Sequence, residues 1–192
     1  MATNKNYTVP LKRKREGLTN YKKRLNLLKS GDIRLVIRRS LNNINVQFVE
    51  FNPEGDKVLA SANSKELTKR FGWKAGFNTS SSYLTGLLAG LRAKGKKISK
   101  AVVDFGLQNT GSRLYAALKG VVDSGLNVKH SKEIFPSDER IKGEHIAKYA
   151  QGLDRVGYNK QFSKYMRNNI KAEEIAKHFE EVKKNITEKW QK

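Results

Sequence analysis

The stretch Arg13-Lys14-Arg15-Glu16-Gly17-Leu18-Thr19-Asn20-Tyr21-Lys22-Lys23-Arg24-Leu25-Asn26-Leu27-Leu28-Lys29-Ser30-Gly31-Asp32-Ile33-Arg34-Leu35-Val36-Ile37-Arg38-Arg39 changes its apolar period partway along. Tyr21, Leu25 and Leu28 recur at i, i+4 and i+7, which is one face of a helix over 19–29 with Thr19 as its N-cap. After the break at Ser30-Gly31-Asp32, Ile33, Leu35 and Ile37 alternate with Arg34, Val36 and Arg38, the two-residue period of a strand. A helix leading straight into such a strand points to the α/β class. The chemistry follows from the same residues. Lys12, Arg13, Lys14 and Arg15 precede the helix, Lys22, Lys23 and Arg24 surround it, and Arg34 and Arg38 share one strand face, with Arg39 beside them. Only Glu16 and Asp32 are acidic between residues 12 and 39. Such a segment repels itself unless a polyanion lies nearby, and it is read as an RNA-holding element.

The whole chain carries the same signal. It has 192 residues, with Lys+Arg 39 against Asp+Glu 18, a net charge of +21. A surplus of this size implies a phosphate-rich partner or an anionic surface. Leu, Ile, Val and Phe still make up a quarter of the chain, above the roughly 20% below which a highly charged chain stays disordered, so a core is expected. No apolar run approaches the ~20 residues of a membrane helix, and the N-terminus has no apolar signal region. The chain is therefore read as soluble and intracellular, with no membrane partner. The absence of cysteine removes disulfides, thiolate metal sites and cysteine nucleophiles together.

Outward from the opening stretch, residues 1–18 read as a basic N-terminal arm, either extended on its partner or a solvated tail. Beyond it, strands are expected over Ile33–Arg39, Ile44–Phe51 and Lys57–Ala62, the last two joined by the turn residues Asn52-Pro53-Glu54-Gly55-Asp56. Short connections make these an antiparallel meander. Ser64 is placed as the cap of a short helix ending near Phe71. Trp73, in the loop before Phe77, is a core residue or a base-stacking one, and burial is the commoner fate of large aromatics. Asn78-Thr79-Ser80-Ser81-Ser82 opens a strong helix with a stripe of Leu84, Leu87, Leu88 and Leu91. Its N-terminus fits ordinary capping or a phosphate site. Gly86 and Gly90 each cost this helix about 1 kcal/mol of propensity, which argues for close approach of another backbone, expected to be the sheet. Ala101–Leu107 reads as a strand buried on both faces. Ser112 is taken as the cap of a helix that Gly125 ends. The resulting organisation is a core over 19–128, with an antiparallel-to-mixed sheet and packed helices. A mostly helical C-terminal extension follows over 129–192, including one helix carrying Ile141, Ile146 and Tyr149. Ile175, Phe179, Val182 and Ile186 form its clearest stripe, a docking face.

Nothing in the chain reads as catalytic. His130, His145 and His178 are scattered, without a metal-ligand spacing. Asp104 lies in a strand where a nuclease places a metal-binding carboxylate, yet two-metal chemistry needs several converging acids. Phosphate-cradling glycine motifs and a nucleophile elbow are both missing. No cofactor, metal or small-molecule substrate is expected.

Several long blocks in register resemble one family. They are Arg15–Leu25, Arg34–Ser40, Tyr83–Leu91, Gly111–Gly120 and His130–Ile146. The chain is similar to the large-subunit ribosomal protein that carries 5S rRNA, number eighteen of the bacterial and archaeal series and number five in eukaryotes, and its last block points to the archaeal type. The resemblance runs from about residue 5 to 150. It implies a core of the translational-component type, a place in the cytoplasmic ribosome between 5S rRNA and the large-subunit (23S-type) rRNA, and a second ribosomal protein on the same particle. Carried over by position, the RNA-binding residues are Lys12, Arg13, Lys14, Arg15, Tyr21, Lys22, Lys23, Arg24, Arg34, Arg38, Arg39, Asn78, Thr79 and Arg113. The charge alone also suits a general nucleic-acid binder of the chromatin kind, which would hold duplex DNA as tightly as 5S rRNA.

Overall fold

The computed structural model describes residues 8–109 and 111–190. Residues 1–7 of the arm, Thr110 of the turn before the second long helix, and residues 191–192 lie outside the described residues. In chain order the elements are α1 (Lys12–Arg15), α2 (Tyr21–Leu28), β1 (Arg34–Arg39), β2 (Ile44–Glu50), β3 (Lys57–Asn63), α3 (Ser64–Arg70), α4 (Thr79–Gly95), β4 (Lys100–Asp104), α5 (Ser112–Asp123) and β5 (Asn127–Val128). Then come α6 (Asp138–Lys142), α7 (Glu144–Gln151), α8 (Arg155–Gln161), α9 (Ser163–Arg167) and α10 (Ile175–Trp190). The sheet runs β3-β2-β1-β4-β5. β1, β2 and β3 pair antiparallel as the expected meander, whereas β4 joins β1, and β5 joins β4, in parallel. The sheet is therefore mixed, and the α/β class holds.

The strand period decides which face is core. Leu35 and Ile37 of β1, and Ile44, Val46 and Phe48 of β2, are fully buried and pack with Leu84, Leu87 and Leu88 of α4 and Leu114 and Leu118 of α5. Arg34, Val36 and Arg38 turn to the opposite face. In α4 the residues from Ser80 to Gly90 are all buried, because sheet, α5 and α10 surround the helix. Gly86 and Gly90 admit α5 rather than the expected sheet: a Cβ at Gly86 would lie 2.0 Å from the Ala117 carbonyl oxygen, and one at Gly90 would lie 2.1 Å from Ser124 Oγ. The C-terminal stripe docks as its spacing requires. Ile175, Phe179, Val182 and Ile186 are all buried in the same cluster as the strands, with the Phe179 ring 5.6 Å from that of Tyr83. Trp73 is a core residue, 1% exposed and stacked on His178.

Several helix starts differ from expectation, and asparagine is the common reason. Asn20, not Thr19, caps α2 by accepting from Lys23 N–H at 3.0 Å. Asn63, not Ser64, caps α3 in a reciprocal box with Glu66, leaving the Ser64 hydroxyl to accept from Ile44 N–H on β2. Gly111 rather than Ser112 precedes α5. The arm is not extended throughout, since Lys12–Arg15 form one helical turn. β4 stops at Asp104 instead of running to Leu107; Gly106 takes a left-handed φ of 64° and Leu107 is half-exposed. The helix expected around Ile141 and Tyr149 is broken in two by Gly143, at φ 87°, with Ile175 packed against it.

Glu66 ties three elements together. Its carboxylate accepts from Arg92 of α4 at 2.6 and 3.1 Å and from Asn63 N–H at 3.1 Å. The Arg92 hydrogen bonds hold its carboxyl below the usual glutamate value, against a smaller opposing cost of burial. A depressed folded-state value stabilises the fold above the ordinary value, 4.5, and this contribution is lost as pH falls below it. Urea midpoints measured downward from pH 5 are expected to fall, and to fall less steeply in Glu66→Gln.

Candidate nucleic-acid interface

The outer face of the sheet is not bare. The arm and α2 lie across it, enclosing a cleft of about 330 Å³ lined by residues of the arm, α2, β1, β2 and the loop after β4. The face α2 turns to the sheet is mostly polar: Asn20, Lys23 and Arg24, with Leu27, at i, i+3, i+4 and i+7, line the cleft. Leu25, on the apolar stripe of α2, is 55% exposed. An eight-residue helix buries too little apolar area to dock by that means alone, so charge and hydrogen bonding seat it.

The seat is a chain of three arginines and two aspartates. Arg24 of α2 donates to both carboxylate oxygens of Asp56, at 3.0 and 3.2 Å. Arg34 meets the same Asp56 at 2.6 Å, and Asp104 lies 3.6 Å from its other terminal nitrogen. Arg38 closes the chain on Asp104 at 3.1 Å and on the Asp104 carbonyl. Asp104 also accepts from Gly106 N–H at 2.7 Å, and Lys23 Nζ donates to the Gly106 carbonyl at 3.2 Å. The two arginines hold the Asp56 carboxyl below its usual range, outweighing the opposing effect of burial.

This arrangement divides the expected residues by role. Arg34 is only 3% exposed, so its guanidinium serves the fold and in this conformation meets no phosphate. That departs from the expectation, because a β1 arginine lands beneath α2 rather than on open sheet. Arg24 and Arg38 are half-exposed and partly neutralised. Lys12, Arg13, Lys14, Arg15, Lys22 and Lys23 are exposed, and Tyr21 is half-buried at the edge of α2. Arg13 donates to the Thr19 hydroxyl at 2.9 Å, which folds the arm back toward the helix. Asp104, the carboxylate considered for metal-dependent cleavage, is engaged by arginines. Among the described residues no cluster of acids and histidines is placed to hold a metal.

The remaining expected residues gather elsewhere. Arg39, Asn78, Thr79 and Arg113 line a second recess of about 390 Å³, joined there by Phe77, Ser112, Arg140 and His145. Partial burial, and then the Arg140 charge beside it, hold the His145 imidazole below its ordinary value. Arg140 was not singled out from the sequence, and His145 was weighed there only as a metal or acid–base residue. Within Asp138-Glu139-Arg140, flanking acids make the arginine look like part of a neutralised helix face, and only the fold separates them.

Comparison with known proteins identifies the family. The family model described as "Ribosomal large subunit proteins 60S L5, and 50S L18" matches residues 5–98. The chain is 50% identical over 188 residues to "Large ribosomal subunit protein uL18" of Aeropyrum pernix, spanning 95% of this chain and 88% of that one. It is 49% identical over 196 residues to the protein of the same name from Desulfurococcus amylolyticus, along the whole of both. With about half its residues shared along its full length with these archaeal proteins, the chain belongs to the uL18 family of large-ribosomal-subunit proteins.

Proposed function

We propose that the protein binds 5S rRNA and anchors it to the large-subunit rRNA, as a structural constituent of the cytoplasmic ribosome and not as an enzyme. A second 5S-associated ribosomal protein and neighbouring ribosomal proteins are its other partners. One observation carries the reading: the charge is sorted. Arg24, Arg34 and Arg38 are matched by Asp56 and Asp104, whereas Lys14, Arg15 and Lys22 stand exposed outside that network. The outward set neutralises phosphates and releases counterions. A-form RNA presents shape, 2′-hydroxyls and looped-out bases rather than an accessible major groove, and in this reading Tyr21 stacks on such a base.

The test is a competition titration in which labelled 5S rRNA on the protein is challenged with tRNA, duplex RNA and duplex DNA across a salt series. 5S rRNA is expected to survive a large excess of each competitor. Lys14→Ala and Arg15→Ala are each expected to lower the slope of log K against log[salt] by about 0.7–0.9. Equal displacement by every polyanion would instead favour a general nucleic-acid binder and sink the 5S assignment.

A further inference from the structure

The recess around Arg39, Arg113 and Arg140 differs from the α2 cleft in one respect that bears on ligands. Two aspartates line the α2 cleft, whereas no acidic side chain lines this one. The carboxylates closest in sequence to Arg140 are turned to other partners: Asp138 to Lys119, and Glu139 toward Lys148 at 3.8 Å. Three arginines from three separate elements therefore line a common space without a matching anion among the described residues. Bringing like charges together costs energy, and the fold nevertheless holds one guanidinium and anchors the backbone of a second arginine. The Arg113 guanidinium lies over the Phe77 ring, 4.8 Å from its centroid. The backbone of Arg39 is clasped by Gln108, whose side-chain oxygen accepts from the Arg39 N–H at 2.9 Å and whose amide donates to the Arg39 carbonyl at 2.6 Å.

The twelve-residue α5 starts at the same place. Gly111 precedes it and has no side chain to cap the first turn, so the positive end of the helix adds to the guanidinium charges. A tetrahedral oxyanion matches this set: forked donors that suit phosphate oxygens, a helix start beside them, and the Thr79 hydroxyl at the rim. A carboxylate offers two oxygens to the same donors, and a polyphosphate needs a longer groove.

We propose that this recess is a clamp for a single RNA backbone phosphate, gripped by Arg39, Arg113 and Arg140 at the start of α5. The proposal rests on the RNA-binding reading and extends it to Arg140, giving the His130–Ile146 block a direct role in binding. The site lies at the C-terminal end of β1, in a recess that shares no lining residue with the α2 cleft.

The experiment uses the full chain with two probes. Inorganic phosphate is titrated while the backbone amides of Ser112 and Arg113 and the imidazole of His145 are followed by NMR. Saturable shifts at both amides and a rise in the His145 value are expected, since a nearby anion favours the imidazolium. In parallel, Arg140→Gln is compared with wild type on 5S rRNA and on an unrelated duplex RNA. A fall in salt slope of about 0.7–0.9 is expected, with Arg140→Lys keeping the slope because it keeps the charge. Amides and slope that both stay unchanged overturn the clamp. Loss of 5S preference with the Arg140→Gln slope change intact removes the 5S assignment and leaves the clamp standing; intact preference with no slope change does the reverse.

Discussion

Gly86→Ala is expected to lower stability by about 3 kcal/mol, the upper part of the range for an overpacked core, even though alanine is the better helix former. Propensity favours the change by about 1 kcal/mol. Against it stands a methyl placed 2.0 Å from the Ala117 carbonyl oxygen and 2.8 Å from its carbon, which are backbone atoms and have no rotamer to escape into. The obstruction is reciprocal. A Cβ at Gly120 of α5 would lie 2.2 Å from the Tyr83 carbonyl oxygen and 2.7 Å from Leu87 N on α4. To admit either methyl the two helices must separate by about 1 Å, since non-bonded carbon contacts sit near 3.5–4.0 Å. That gap opens beside Leu84, Leu87, Leu114, Leu118 and Val121, each at most 3% exposed, and their lost contacts are where the energy goes. In urea the midpoint is expected to drop by roughly 1–3 M with the slope unchanged. Gly95→Ala is the control. Nothing lies within 4 Å of its new methyl, so it is expected to be neutral or mildly stabilising. If Gly86→Ala behaves like the control, the two helices are not in backbone contact.

These glycines show what a sequence discloses and what it withholds. Their i, i+4 spacing on an apolar helix signals close approach, but spacing on one element does not name the other, and α5 rather than the sheet proved to be the neighbour. The β1 alternation and the Ile175–Ile186 stripe were legible because one element's period determines which side chains share a face. The role of Arg34 was not. It depends on Asp56 and Asp104, 22 and 70 positions away, and charge pairs that distant leave no local pattern. The docked face of α2 was not legible for a related reason: Tyr21, Leu25 and Leu28 form a genuine stripe, yet Arg24 is drawn to Asp56 in the turn before β3 and Leu25 is left exposed. A two-residue strand such as β5 is too short to carry a period at all. In the second recess the expected residues Arg39, Asn78, Thr79 and Arg113 came from three separate stretches, and their convergence, with Arg140 among them, exists only in the folded chain.

Asp104→Ala is expected to cost about 3–5 kcal/mol, the range for removing one partner of a buried ion pair, while Arg34→Met costs markedly less. The asymmetry follows from who keeps a partner. Without Asp104, the 3%-exposed Arg34 depends on Asp56 alone, Arg38 loses its carboxylate, and the Gly106 N–H loses its acceptor. Without Arg34, Asp56 still holds Arg24 at 3.0 Å and Asp104 still holds Arg38 at 3.1 Å, and the methionine fills much of the vacated volume without a charge to solvate. Urea denaturation of both single variants and the double variant measures this directly. The penalty of Asp104→Ala should shrink when Arg34 is already methionine, because the stranded charge is no longer there. RNA binding supplies an independent reading of the same residue. A buried guanidinium displaces no counterion, so Arg34→Met should leave the salt slope on 5S rRNA unchanged, whereas removing Lys14 or Arg15 lowers it. Should Arg34→Met lower the slope as an arm residue does, Arg34 reaches phosphate after all, and α2 must lift from the sheet when RNA binds. Should the slope hold while stability falls as described, the arginine at the centre of the most basic stretch in the chain is there to hold α2 in place, and the residues around it meet the RNA.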